Sequence, residues 1–228
     1  MNRTDPNGKG VERIEPRFFR LPPLGLDGVL RLPPSPVGTV VFAHGSGSSR
    51  TSRRNNRVAE FLGASSIATL LFDLLDASEA LDRHNVFDIS LLAGRLEDAI
   101  EWVMHDEHQA SLPIGLFGAS TGAAAALVAA VAYPKDIAAL VSRGGRPDLA
   151  GDALPEVRAP TLLIVGGHDH QVLELNRQAR VRMRCETDLQ IVPGATHLFE
   201  EPGALEAVAQ LSRDWFLRHF SAQRMAAR

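Results

Sequence analysis

A serine flanked by glycines is the feature of this sequence that could most directly do chemistry. Gly118, Ser120 and Gly122 form a Gly-x-Ser-x-Gly motif between an apolar run at residues 113–117 and an alanine-rich run at residues 123–131. The first run is short enough for a buried strand, and the second has the composition of a buried helix. In a tight strand-to-helix turn the serine takes a strained backbone conformation, and flanking glycines remove the clashes that side chains would cause. The motif therefore predicts an exposed, nucleophilic serine.

Two residues further along the chain could activate that serine. A serine hydroxyl is a weak nucleophile until a base accepts its proton and a third group orients the base. Asp169 follows a predicted strand and Gly-rich turn at residues 159–167, and His197 follows a predicted strand at residues 189–192. Both positions lie past the carboxyl ends of strands, where open parallel sheets bind ligands. We predict His197 as the base and Asp169 as its acid, with Asp148 as the alternative acid.

The elements that must position these residues alternate along the chain. Apolar runs of strand length lie at residues 18–21, 29–32, 39–43, 67–72, 113–117, 138–142, 161–165 and 189–192. Helical patterns separate most of them, which predicts an α/β fold with a mainly parallel sheet of about eight strands and helices on both faces. The connection from residue 142 to residue 161 is too short for a large cap domain. We therefore expect an open cleft above the site.

These motifs carry a resemblance to a known family. His44 and Gly45 after an early strand, the serine turn, Asp169 and His197 occur in the order and context of the α/β-hydrolase superfamily. The chain resembles the dienelactone-hydrolase-like branch over nearly its whole length. Dienelactone hydrolases carry cysteine at the nucleophile position, whereas this chain has Ser120. The resemblance therefore implies a serine hydrolase that cleaves esters or thioesters of small, in some cases anionic, acyl substrates rather than a lactonase.

The same fold implies which groups would hold the charge of the reacting carbonyl oxygen. One backbone N–H comes from the residue after the nucleophile, here Thr121, and the other from the loop after the early strand. We assign the second N–H to Ser46, because it follows the His-Gly pair. Such an oxyanion hole stabilises charge that develops in the transition state.

Three further residues are candidates for substrate binding. His44 begins the oxyanion loop, although it could instead support that loop through hydrogen bonds. Arg143 and Arg146 follow the sixth predicted strand, and a guanidinium group can bind carboxylate or phosphate through two parallel hydrogen bonds. The alternative for such arginines is a solvated rim of salt bridges. We favour that alternative for three others in the chain: Arg53, Arg54 and Arg57.

Composition and charge exclude several classes of protein. The chain has 228 residues, 45% of them hydrophobic, and a net charge of −3, which offers no general attraction for nucleic acid. No apolar stretch is long enough to span a membrane. The single cysteine, Cys185, excludes an internal disulfide and suits the cytoplasm. We predict a flexible tail at residues 1–15, one catalytic domain at residues 16–222 and a C-terminal tail at residues 223–228.

The sequence also leads to expectations about cofactors, partners and alternative functions. We expect no cofactor and no metal, because the adjacent residues His168, Asp169 and His170 would point in alternating directions along an extended loop, and no Cys or Glu-bearing helix completes a ligand set. We expect a small-molecule substrate and leave a homodimer open. Segments 44–50 and 142–147 resemble a bacterial subgroup whose members are sometimes fused to a phosphoribosyltransferase-like domain. An acyltransferase or a non-catalytic member acting with a phosphoribosyltransferase-type partner is therefore the alternative function.

Overall fold

The computed structural model describes residues 14–226, and one sheet of eight strands runs through this part of the chain. The strands are β1 (Arg17–Leu21), β2 (Leu26–Arg31), β3 (Gly38–Ala43), β4 (Ile67–Phe72), β5 (Ile114–Ala119), β6 (Ile137–Arg143), β7 (Thr161–Gly166) and β8 (Thr187–Val192). Their spatial order is β1-β2-β4-β3-β5-β6-β7-β8. β2 pairs antiparallel with both β1 and β4, whereas β3 to β8 run parallel to one another. The predicted fold class is confirmed.

Helices cover both faces of this sheet. They are α1 (Arg53–Gly63), α2 (Arg83–Phe87), α3 (Ile89–His105), α4 (Thr121–Ala132), α5 (His170–Arg182) and α6 (Ala204–Ala226). Short 3₁₀ segments lie at Glu79–Leu81 and Pro147–Glu156. One core lies between the sheet and α3 with α4, and the other lies between the sheet and α1 with α6. Because both faces are covered, every residue of β3 to β7 is buried, which explains their continuous apolar runs.

The carboxyl edge of the sheet carries no large cap between β6 and β7. Residues 144–160 contain only the 3₁₀ segment Pro147–Glu156, which packs against α4 and α5. This agrees with the short connection in the sequence. The strand ends that carry the candidate catalytic residues are therefore not roofed by a helical domain inserted at this point.

The two ends of the chain differ in what the structure describes. Residues 1–13 of the predicted N-terminal tail lie outside the described residues. At the other end, α6 continues to Ala226, so residues 223–226 extend the last helix instead of belonging to a tail. None of the helices between residues 14 and 226 combines the length and apolar content needed to cross a bilayer.

Candidate active site

The predicted serine turn is present, and its geometry shows why glycines flank it. Ser120 lies between the last residue of β5 and the first residue of α4, with φ 52° and ψ −120°. A Cβ at Gly118 would overlap the backbone of Ala123, and a Cβ at Gly122 would overlap the carbonyl oxygen of Ala43. Neither contact can be relieved by a side-chain rotation, because the atoms belong to the backbone. The turn therefore requires glycine at both positions.

Backbone hydrogen bonds hold Ser120 against the end of β6. Its N–H donates to the carbonyl oxygen of Arg143 at 3.2 Å, and its own carbonyl oxygen accepts from the N–H of Arg146 at 3.1 Å. The N–H of Ala123 donates to the same carbonyl oxygen at 3.1 Å. The positive φ of Ser120 is therefore stabilised from two directions, by the next strand and by the helix that it begins.

The structure brings the predicted base and acid together. The Nδ1 atom of His197 lies 2.6 Å from Oδ2 of Asp169, which is a charge-assisted hydrogen bond when Nδ1 carries the proton. The carboxylate is mostly buried, with its side chain 14% exposed, and the imidazole is 39% exposed. The alternative acid, Asp148, is occupied elsewhere, since both of its oxygens accept from Arg146. The geometry therefore favours Asp169 as the partner of His197.

Ser120 and His197 share one end of the sheet, but no hydrogen bond joins them in the described chain. A Cβ at Gly144 would lie 3.5 Å from Cε1 of the His197 ring, so the imidazole lies over the turn that follows β6. That turn is also the one whose backbone holds Ser120. Contacts between nucleophile and base are often longer before substrate binds, so this arrangement is compatible with proton transfer.

The oxyanion loop lies against the serine turn, with one contact that the sequence did not predict. A Cβ at Gly45 would lie 3.0 Å from Cβ of Ser120, which shows how closely the loop passes. The N–H of Ser46 donates to Oγ1 of Thr121 at 2.9 Å. The two predicted oxyanion residues are therefore adjacent, but the Ser46 N–H is held by the Thr121 side chain. Spacing alone gives no signal for such a contact.

His44 does not present a free nitrogen to a substrate. Its Nε2 atom accepts from the N–H of Leu74 at 3.1 Å, so Nδ1 carries the proton and lies 3.0 Å from the carbonyl oxygen of Gly45. Burial lowers the pKa of His44, which keeps the ring neutral, although Asp73 opposes this shift. The ring therefore braces the oxyanion loop, as the sequence alternative had it, and it also lines the cavity beside that loop, so contact with a substrate stays a prediction.

Arg146 is likewise occupied within the protein. Its Nε and Nη2 atoms donate to the two oxygens of Asp148 at 2.9 and 2.8 Å. This bidentate pair raises the pKa of Arg146 and neutralises its charge locally. The guanidinium fork of Arg146 is thus used within the protein, as in the salt-bridge alternative, and a role in binding an anion stays a prediction.

Arg143 differs from the other predicted substrate-binding residues. It is buried, with 8% of its surface exposed, and its Nε and Nη1 atoms have no hydrogen-bond partner among the described residues. Burial and the nearby charge of Arg54 lower its pKa to about 10. The sequence placed Arg143 in an open cleft, whereas the structure places it below the surface.

A cavity of about 420 Å³ opens beside the oxyanion loop. The loop forms one wall, and the opposite wall is largely apolar, with Leu26, Leu74 and Leu92 among its residues. Arg50 crosses the rim, where its backbone N–H donates to Asp73 at 2.6 Å and its side chain pairs with Asp27 at 2.9 Å. Ser120, Asp169 and His197 do not line this cavity, so it extends from the oxyanion side of the site and away from His197.

The described residues show no metal centre. Between residues 14 and 226, no group of three or more His, Cys, Asp and Glu side chains has the arrangement needed to hold an ion.

Comparisons with known proteins extend these observations. The family model described as "Dienelactone hydrolase family" matches residues 73–222. The crystal structure of dienelactone hydrolase from Anabaena variabilis is 51% identical, with a TM-score of 0.86 over 90% of this chain and 98% of that one. An alpha-beta serine hydrolase homologue from Coxiella burnetii shares the fold at 21% identity, with a TM-score of 0.71 over 86% of this chain and 94% of that one.

A longer relative comes from Mycobacterium tuberculosis. It bears a phosphoribosyl transferase name and is 59% identical over 197 residues, which are 86% of this chain and 44% of the relative. This chain therefore spans less than half the length of that protein.

Proposed function

Because this chain belongs to the dienelactone hydrolase family, we propose that it hydrolyses esters or thioesters through Ser120, His197 and Asp169. The family and the α/β-hydrolase fold support hydrolase activity. The observation that carries the finer proposal is the 2.6 Å contact between His197 and Asp169, at the end of the sheet where Ser120 is held in its strained turn. No other carboxylate of the described chain forms an ion pair with the His197 ring.

The proposed reaction starts with proton transfer from the nucleophile. His197 Nε2 accepts the proton of Ser120 Oγ as this oxygen attacks the carbonyl carbon. Asp169 keeps the proton of the ring on Nδ1, so that Nε2 is the basic atom, and it stabilises the imidazolium that forms. His197 then protonates the leaving group, which departs and leaves an acyl-enzyme. Water attacks that intermediate with the same histidine as base, and the acid is released.

The oxyanion is held by backbone N–H groups in this proposal. The N–H of Thr121 lies at the start of α4, where the helix dipole also favours negative charge. The N–H of Ser46 is the second donor, and it must exchange its bond to the Thr121 hydroxyl for one to the oxyanion. A backbone donor of this kind contributes roughly 3 kcal/mol to transition-state stabilisation.

Small acyl groups are the substrates that the site favours. The cavity of about 420 Å³ begins at the oxyanion loop, so it can take one side of the substrate while the other side faces the uncapped edge. This volume lies at the low end of the range of small-molecule sites. A serine nucleophile favours esters and thioesters. We propose the cytoplasm as the location, because it contains soluble acyl compounds and its reducing conditions suit a lone cysteine, Cys185.

We expect Ser120→Ala to abolish labelling by a fluorophosphonate and to reduce kcat for 4-nitrophenyl acetate at least about 1000-fold, because the nucleophile is lost. His197→Ala is expected to be comparably damaging and Asp169→Asn less so. Ser221→Ala is the matched control, because this serine is exposed on α6 and bonds only to Leu217. EDTA is expected to leave the rate unchanged. Retention of a tenth of the wild-type rate in Ser120→Ala would exclude Ser120 as the nucleophile.

The second candidate function rests on the longer relative. A non-catalytic member that acts with a phosphoribosyltransferase-type partner would fit a chain that aligns with 44% of a protein bearing that name. An acyltransferase would instead use the same proposed Ser120, His197 and Asp169. Mass spectrometry of products formed with and without an alcohol acceptor separates the classes. Acylated alcohol as the main product identifies a transferase, free acid identifies a hydrolase, and no turnover at all supports the non-catalytic alternative.

A further inference from the structure

Arg143 carries a buried guanidinium group without an acceptor. Its side chain follows Val141 by two residues along β6, so it points to the same face of the sheet, toward α1 and α6. The group has five N–H donors and cannot act as an acceptor. Its Nε and Nη1 atoms are buried, and neither has a hydrogen-bond partner among residues 14–226. Arg31 and Arg95 also have one buried unpaired nitrogen each, but both donate through another nitrogen to Asn56 and Glu79.

Arg54 brings a second cation to the same place. Its charge is close enough to lower the pKa of Arg143 further, and no carboxylate counters this effect. Arg54 donates through Nη1 to Glu200 at 2.8 Å, while its Nε is buried without a partner. The first turn of α1, where Arg54 lies, contains no acidic residue, although helix N-termini favour negative charge.

These facts describe an unmatched set of donors. Within the described part of the chain, three buried guanidinium nitrogens, two of Arg143 and one of Arg54, lack an acceptor. Buried polar groups in folded proteins are nearly always paired, and burying an unpaired charge is strongly unfavourable. A water molecule would supply an acceptor but no negative charge to balance Arg143, because the carboxylate of Glu200 pairs with Arg54. An anion supplies both the acceptors and the missing charge.

The position of Arg143 connects this donor set to the reacting serine. The carbonyl oxygen of Arg143 accepts the N–H of Ser120 at 3.2 Å, so the two residues are neighbours across the strand ends. The arginine lies on the β6 side of Ser120, whereas the cavity of about 420 Å³ lies on the side of the oxyanion loop. The donor set is therefore distinct from that cavity.

We propose that Arg143 and Arg54 form a binding site for a small oxyacid anion, a carboxylate or a phosphate group, beside the nucleophile. The planar fork of a guanidinium matches two oxygens of either group. The anion comes from one of two sources: a free inorganic or organic anion, or the substrate itself. The second source rests on the proposed hydrolase function, whereas the first does not.

Anion-dependent thermal stability tests the site without any turnover. The melting temperature is measured in sodium phosphate, sodium acetate and sodium chloride at one ionic strength, for the wild type, Arg143→Met and the control Arg57→Met. Arg57 lies on α1, the helix that also carries Arg54, but its side chain pairs with Glu206 on the surface. We expect phosphate or acetate to raise the melting temperature of the wild type and the control by about 2–4 °C relative to chloride, and to leave Arg143→Met unchanged. An equal response in all three proteins would overturn the proposal.

The anion-free measurement separates a binding role from a structural one. Methionine fills a similar volume without charge, so Arg143→Met is expected to melt at or above the wild-type temperature in chloride. A lower melting temperature in chloride, together with an anion response equal to that of the wild type, would make Arg143 a structural residue. If the methionine variant does not fold, Arg143→Lys keeps a charge but loses the fork, and it is expected to retain only part of the anion response.

Kinetics then distinguish the two sources of the anion. The substrates are mono-4-nitrophenyl esters of succinic, glutaric and adipic acid, each compared with its uncharged terminal carboxamide. If the substrate supplies the anion, Arg143→Met reduces kcat/KM about 10- to 100-fold for at least one charged ester and barely changes its amide. If a free anion binds instead, phosphate changes the rates of the charged ester and of its carboxamide counterpart equally in the wild type. Phosphate then has no effect on either rate in Arg143→Met. Absence of turnover with every ester would contradict the hydrolase proposal, while the melting experiment would still decide whether the anion site exists.

Discussion

At the scale of single residues, Ser120 and Arg143, at the carboxyl ends of β5 and β6, are both held in unfavourable states. Ser120 has φ 52°, a conformation that costs a non-glycine residue about 1–3 kcal/mol. Burial and the nearby charge of Arg54 lower the pKa of Arg143 to about 10, so the folded protein carries a free-energy penalty for holding this charge. This penalty is fully present below the folded pKa, and therefore at neutral pH. Unfavourable states of this kind are typical of functional sites, where the ligand or the reaction uses them.

A prediction at this scale concerns Thr121, whose hydroxyl accepts the N–H of Ser46. Thr121→Val keeps the shape of the side chain but removes the acceptor that fixes the oxyanion loop. We expect kcat for 4-nitrophenyl acetate to fall about 5- to 20-fold with little change in KM, because a hydrogen bond contributes about 1–1.5 kcal/mol and the loop acts in the transition state.

Thr121→Ser is the matched control, since it retains the hydroxyl and should keep most of the wild-type rate. Full activity in Thr121→Val would show that the contact has no positioning role. A higher rate would show that the hydroxyl competes with the oxyanion for the Ser46 N–H.

At the scale of elements, the serine turn depends on how closely β3, β5 and α4 approach one another. The Cα atom of Gly122 faces the carbonyl oxygens of Ala43 and His44 at the end of β3, and no room is left for a methyl group. The oxyanion loop leaves β3 at the same point. Its residues His44 and Arg50 form hydrogen bonds with the two residues that follow β4, Asp73 and Leu74. The serine turn and the loop that carries the proposed oxyanion donor are therefore positioned by one tightly packed junction.

Replacement of one glycine in this junction tests that conclusion. We expect Gly122→Ala to lower the free energy of unfolding by about 3 kcal/mol or more, because the new Cβ would overlap backbone atoms that cannot rotate away. Gly94→Ala is the control: Gly94 lies within α3, a Cβ there meets no atom within 4 Å, and alanine should stabilise the helix by about 0.5–1 kcal/mol. Denaturant unfolding measures both, and equal stability of the two variants would contradict the packing argument.

At the scale of the whole molecule, the connection between β6 and β7 carries no cap, which bears on how a substrate would reach the proposed site. Residues 144–160 pack against α4 and α5 and leave the strand ends without an inserted helical domain. An inserted cap between β6 and β7 would have to open at a lipid surface before a substrate could enter. Residues 144–160 contain no such cap. Access is set by the rim residues and by the cavity of about 420 Å³.

This architecture predicts the response to substrate aggregation. With tributyrin, we expect the rate to follow the dissolved concentration and to show no jump when droplets form, because no cap has to open. Short, soluble 4-nitrophenyl esters should be hydrolysed faster than long-chain ones. A sharp rise in rate at the solubility limit would contradict this account of the 144–160 connection.

The sequence by itself determined the features that depend on short-range order. The Gly-x-Ser-x-Gly turn, the alternation of strands and helices, and the positions of Asp169 and His197 after strand ends could all be read from local patterns. They are readable because strain, periodicity and turn chemistry act within a few residues of the chain. The eight-stranded sheet and its helical layers followed from the same patterns.

Only the tertiary structure decided what each polar side chain near the serine bonds to. The Arg146 guanidinium donates to Asp148, and the N–H of Leu74 donates to the His44 ring. The N–H of Ser46 donates to the Thr121 hydroxyl. Arg143 receives no such partner within the described chain. Several of these pairings join groups far apart in sequence, and even the near ones depend on side-chain direction. Both are set by packing across elements, so a linear pattern carries no record of which donors are satisfied.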